Sequence, residues 1–74
     1  MRDAQGREGV SPVDRTYDIF EIDPDGYPIW KTAVIGQEAA IRKLHDISEQ
    51  TPNELRMMHV ATQTVVATVN PPKS

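Results

Sequence analysis

Only one stretch of this chain, residues 37–50, carries apolar residues at helical spacing and is long enough to use them, and that single helix limits what the rest can be. Ala40, Ile41, Leu44 and Ile47 fall on one stripe, while Glu38, Arg42, Asp46 and Glu49 gather on the opposite side. Gly36 stands at the entry, where glycine is tolerated as an N-cap. Gln37 and Glu38 follow with polar and acidic groups in the first turn, where the helix dipole favours them. Glu38 and Arg42 have the i, i+4 spacing of a helical ion pair. Thr51-Pro52 ends the helix, because the residue before a proline is pushed out of the α region.

The segments on either side read as strands. Residues 16–23 are rich in β-branched and aromatic side chains, and after Asp23-Pro24-Asp25-Gly26 a second extended run covers residues 27–35. Asp23 can accept backbone amides, Pro24 presets its own φ, and Gly26 supplies the left-handed residue of a type I turn with a G1 bulge. That turn sets Phe20 opposite Trp30 and Ile19 opposite Lys31. One face of the hairpin then carries Phe20, Ile22, Trp30 and Val34, and the other carries Tyr17, Ile19, Ile29 and Ile35, diluted by Glu21 and Lys31. The first face is expected to meet the helix.

Downstream, residues 54–60 and 64–69 read as a second hairpin, with Val65, Val66, Thr68 and Val69 favouring strand over helix. A turn that leaves Val60 opposite Val65 groups Met58, Val60, Val65, Ala67 and Val69 on the core face and puts Leu55, Met57, His59, Val66 and Thr68 on the reverse. The expected fold class is therefore α+β, in the order β-β-α-β-β: a four-stranded sheet with one helix packed on one face, over residues 16–69. The connection through the helix is expected to be right-handed. The strand orders 1-2-3-4 and 2-1-4-3 both satisfy this pattern.

Residues 1–15 hold too few apolar side chains to offset the entropy of ordering them and are expected to form a disordered tail. Residues 70–74, with Pro71 and Pro72 stopping the last strand, are expected to form another. A packed unit this small buries only ~60% of the surface its unfolded chain exposes. There are no cysteines, so neither a disulfide nor a thiolate zinc site can add stability, and association is the remaining common route.

The formal charge of -3, from 8 Lys+Arg against 11 Asp+Glu, argues against a nonspecific nucleic-acid binder. No apolar run approaches the ~18 to 20 residues of a membrane span, and residues 1–15 lack the apolar core of a signal peptide, so a cytoplasmic location is expected.

Chemistry is sparse. Asp23 and Asp25 have the spacing that opens a calcium loop, but the later ligand positions fall on Tyr27 and Val34, so the turn is the better reading. His45 falls on the flank of the helix and His59 in mid-strand, with no third metal ligand placed beside them. Of the serines, Ser11 and Ser74 lie in the tails, which leaves a Ser/His/Asp arrangement without a rigid nucleophile. No catalytic residue, cofactor or metal is assigned, and the chain is expected to be non-enzymatic.

On the register above, Tyr17, Ile19, Ile29, Leu55, Met57 and Val66 are left on the sheet face that the helix cannot cover. The function expected is a small protein-interaction module, binding a protein partner or forming a homodimer through that face or by pairing edge strands. The alternative is a nucleic-acid- or ribosome-associated small protein. It suffers from the single Arg and the lack of aromatics in residues 55–60.

The sequence of residues 17–30, with Tyr17, Ile19, Phe20, Asp23, Asp25, Gly26, Pro28 and Trp30 at their spacing, resembles a group of small bacterial proteins that share this strand-turn-strand stretch. The resemblance spans residues 16–69. It implies a small α+β fold and a bacterial cytoplasmic origin, and brings no activity, cofactor or partner with it.

Overall fold

Asp23 fixes the first turn. Its Oδ1 accepts the amides of Asp25 and Tyr27, each at 2.9 Å, and the Gly26 amide donates to the Asp23 carbonyl at 2.8 Å. Gly26 has φ +92°, which an L side chain rarely adopts. The structure, a computed structural model, describes residues 15–71. In it this turn joins β1 (Thr16–Ile22) to β2 (Pro28–Ile35), and Phe20 lies opposite Trp30 as the turn type requires. Then come α1 (Gln37–Ser48), β3 (Glu54–His59) and β4 (Thr64–Val69), giving the α+β order β-β-α-β-β with all four strands in one sheet.

The strand order is β2-β1-β3-β4, with every neighbouring pair antiparallel. Neither order expected from the sequence has β1 between β2 and β3. Because β2 and β3 are both antiparallel to β1, they run the same way, and the connection through α1 passes over β1 in a split β-α-β arrangement. A helix of 12 residues is about 18 Å long. That suffices to lie across the three strands it packs on, β2, β1 and β3. Gly36 makes the entry possible with φ +98° and ψ 132°; its amide donates to the Arg15 carbonyl at 2.8 Å and its carbonyl accepts the Ala40 amide at 2.9 Å.

Two irregularities decide which residues share a face. On β2, Thr32 faces Ile19 while Trp30 faces Phe20, so Lys31 is one residue too many for its partner strand. On β4, Ala67 faces Met57 while Val65 faces Met58, so Val66 is the extra residue there. The second turn also lies one residue earlier than expected, which moves the partner of Val65 two residues along β3, from Val60 to Met58. His59 pairs with Thr64, and the Gln63 amide donates to the Val60 carbonyl, with Gln63 at φ 55°.

The expected faces are therefore corrected. The core beneath α1 consists of Ile19, Leu55 and Met57 from the sheet and Ala40, Leu44 and Ile47 from the helix, flanked by Tyr17, Val34, Ala67 and Val69. Ile19, Leu55 and Met57, expected on the uncovered face, are the largest fully buried side chains, and Tyr17 packs beside them. Phe20, Ile22, Trp30, Met58 and Val65, expected under the helix, lie on the other face. Bulging at Lys31 moves Val34 to the Tyr17 side, and bulging at Val66 moves Ala67 and Val69 to the Leu55 side. Ile41, at the edge of the expected helix stripe, is 38% exposed.

Of the expected tails, only Arg15, Asn70 and Pro71 fall within the described residues. Arg15 takes part in the Gly36 hydrogen bond, and the Asn70 side chain reaches the carbonyls of Asn53 and Thr51 at 3.4 and 3.5 Å. Among the described residues the ion pairs are Lys31–Glu21 at 3.3 Å and Arg56–Glu54 at 2.8 Å, so the Glu38–Arg42 spacing is not closed into one.

Candidate functional site

The sheet face away from α1 is laid out in cross-strand rows. Trp30, Phe20, Arg56 and Thr68 form one row through partners on all four strands, and Ala33, Asp18, Met58 and Val65 form the next. Trp30 is 57% exposed and Val65 48%, with Phe20 and Met58 half-buried between them. A shallow apolar groove of about 210 Å³ runs among Phe20, Ile22, Pro28, Arg56, Met58 and Val65. Local sequence accounts for each placement. The alternation of β1 sends Phe20 and Ile22 away from Ile19, and the two turns set Trp30 opposite Phe20 and Val65 opposite Met58 on that same side.

Polar groups frame this face. The Trp30 indole Nε1 donates to Asp18 Oδ1 at 3.2 Å, which fixes the ring over the sheet beside Phe20. Arg56 Nε donates to Glu54 Oε2 at 2.8 Å, leaving a guanidinium whose remaining N–H groups can meet another acceptor. The charges around the apolar patch are thus Asp18 and Glu54 with Arg56 between them.

Of the residues expected to bind a partner, Ile19, Leu55 and Met57 are in the core and Tyr17 packs against it. Ile29 is 45% exposed but pairs with Glu21, which puts it on the helix side. Val66, at 49% exposure, lies at the β4 bulge. Phe20, Ile22, Trp30, Met58 and Val65 of the uncovered apolar face were all expected in the core; the aromatic pair Phe20 and Trp30 is the signal that points to this face, and it fits a buried pair as well as an exposed one.

Glu21 has a structural role. Half-buried Glu21 accepts from Thr51 Oγ1 and Asn53 Nδ2, both at 2.8 Å, and ties the loop after α1 to the central strand. The bonds from Thr51 and Asn53, with Lys31 beside them, hold its carboxyl below the usual glutamate range despite partial burial. His45 is exposed on α1. His59 lies 5.2 Å from the Tyr17 ring, with Nδ1 3.0 Å from Thr62 Oγ1. Among the described residues no three His, Cys, Asp or Glu side chains come together as a metal site.

A broader concavity of about 980 Å³, at the end of the sheet near Asp23, Asn53 and Asn70, is a solvent-open seam between two turns. Its Asp23 and Asn70 side chains already hold backbone groups. No helix among the described residues is long and apolar enough to cross a membrane. No protein-family model, curated protein or solved structure matches this chain.

Proposed function

We propose that the protein is a small non-enzymatic interaction module that associates with a second copy of itself through the sheet face opposite α1, acting in the cytoplasm. The observation that carries the reading is the apolar patch spread over two neighbouring rows of that face, where Trp30 and Val65 keep about half their surface in water and Phe20 and Met58 are half-buried. Charge supports a second copy as the occupant. Arg56 lies between Asp18 and Glu54, so two such faces packed about a two-fold axis can set each arginine against the other's acids.

Area sets the strength. Four strands at ~4.8 Å spacing and about 20 Å long offer roughly 400 Å² per copy, or about 800 Å² in total. That is below the ~1,200 Å² at which stable interfaces begin, so this contact is weak and transient. Sedimentation of the full chain over a wide concentration range tests it. A mass that rises with concentration, and that rises less in Trp30→Ser with Met58→Glu, supports the reading. A mass unaffected by those changes overturns it.

A second reading, nucleic-acid binding, has one observation in its favour: Trp30, Phe20 and Arg56 stand in a single row across three strands, as a stacking platform would need. The overall charge of -3 and the flanking acids count against it. Affinity for a single-stranded oligonucleotide that falls steeply with salt would favour it over self-association.

A further inference from the structure

The two edges of the sheet are built differently. β2 begins with Pro28, which has no amide to offer a neighbouring strand, and its ladder is broken at Lys31, whose ammonium lies 3.3 Å from Glu21. Proline, charge and a bulge are the devices that keep an edge from pairing. β4, the other edge, has a bulge at Val66 but neither of the other two. Residues 60–72 contain no Asp, Glu, Lys, Arg or His, and the strand itself is Thr-Val-Val-Ala-Thr-Val, with Val65 and Val66 both about half exposed. α1 packs mainly across β2, β1 and β3, and meets β4 only at the margin of the core through Ala67 and Val69, on the covered face and not along the free edge.

We propose that β4 pairs antiparallel with β4 of a second copy, about a two-fold axis perpendicular to the sheet and close to Val66, so that two four-stranded sheets become one of eight. The occupant follows from charge. An edge bearing one sign repels its own copy and selects an opposite partner; an edge bearing none sets no like charges together when it pairs with itself, and the antiparallel ladder satisfies its free amides and carbonyls. Both helices then lie on one side of the joined sheet. On the other side the two open faces become continuous through Val65. This contact uses a different surface and a different axis from the face-to-face association proposed above, and neither depends on the other.

Charge reversal at Val66 in the full chain tests it. Val66→Lys and Val66→Glu each place like charges across the two-fold axis and are expected to weaken edge association at least tenfold by sedimentation, while Val66→Thr leaves it unchanged. An equimolar mixture of the Lys and Glu variants is expected to associate again, since opposite charges then meet. Far-UV circular dichroism of each variant confirms the fold. Trp30→Ser keeps β4 intact and separates the two proposals, because it removes the face contact and leaves an edge dimer. Three results overturn the edge pairing: a wild-type chain monomeric throughout, Lys and Glu variants that associate as wild type does, or a mixture no better than its components.

Discussion

Under α1, Ile19 and Leu55 are fully buried and Met57 is 1% exposed, whereas on the other side of the same strands Trp30 keeps 57% of its surface in water. The two faces differ little in apolar content, and the larger side chains are on the open one. What separates them is fit to the helix. The buried stripe of α1 is Ala40, Leu44 and Ile47, and it settles on aliphatic side chains of similar height, Ile19, Leu55, Met57 and Val69. An apolar face is thus no guide to a core until the register that assembles it is known.

Breaking the covered face should have the largest effect. Leu55→Ala or Ile19→Ala is expected to cost about 2–5 kcal/mol. A core of this size rarely supplies more than ~3–5 kcal/mol, so both variants should be largely unfolded at room temperature by circular dichroism. Folded, stable variants at both positions would place the core on the wrong face.

Gly36→Ala tests the entry of the helix that covers that face. Nothing lies within 4 Å of the added methyl, so any loss comes from the backbone angle alone, about 1–3 kcal/mol in urea unfolding. A neutral result would mean that the chain enters α1 by another conformation.

Acid should loosen the tie between the covered face and the loop after α1. The Glu21 carboxyl has a pKa below its unfolded value, so its contribution is fully present above the ordinary glutamate range and is lost as pH falls through the lowered value. Thermal unfolding midpoints should therefore drop between mildly and strongly acidic pH in the wild type and drop less in Glu21→Gln. Parallel curves would remove Glu21 from the account.

The open face should tolerate most. Trp30→Ser forfeits its cross-strand contact with Phe20, about 0.5–1 kcal/mol, and should leave a folded chain whose association is weakened. A loss as large as that of Leu55→Ala would erase the distinction between the faces.

Much of the fold was legible because its signals are local. Asp23 and Gly26 specify their turn, the turn specifies Phe20 opposite Trp30, and the helical period specifies Ala40, Leu44 and Ile47. The bulges at Lys31 and Val66 were not legible. Neither has a glycine or proline to mark it, and each arises from how its strand meets a partner across the sheet. One extra residue reverses every side chain beyond it, which separates Val34 from Trp30 and Ala67 and Val69 from Val65. Ile19, Leu55 and Met57 stand on the unbulged strands β1 and β3, and they were expected to meet a partner only because the larger Phe20–Trp30 pair marks the opposite face as the apparent core. Strand order failed for a related reason: pairing β1 with β3 joins segments more than 30 residues apart, and no short-range pattern encodes that choice.

The central position of β1 has a consequence for how the protein is made. As the chain is synthesised, β1 and β2 emerge first and can close their turn, but the strand that must cover the other side of β1 is complete only at His59. Until then one whole side of β1, where Ile19 will stand opposite Met57, is a bare edge on a hairpin too small to be stable alone. Folding is thereby deferred until β3 is complete, and any product stopped short of residue 59 exposes what the folded sheet hides.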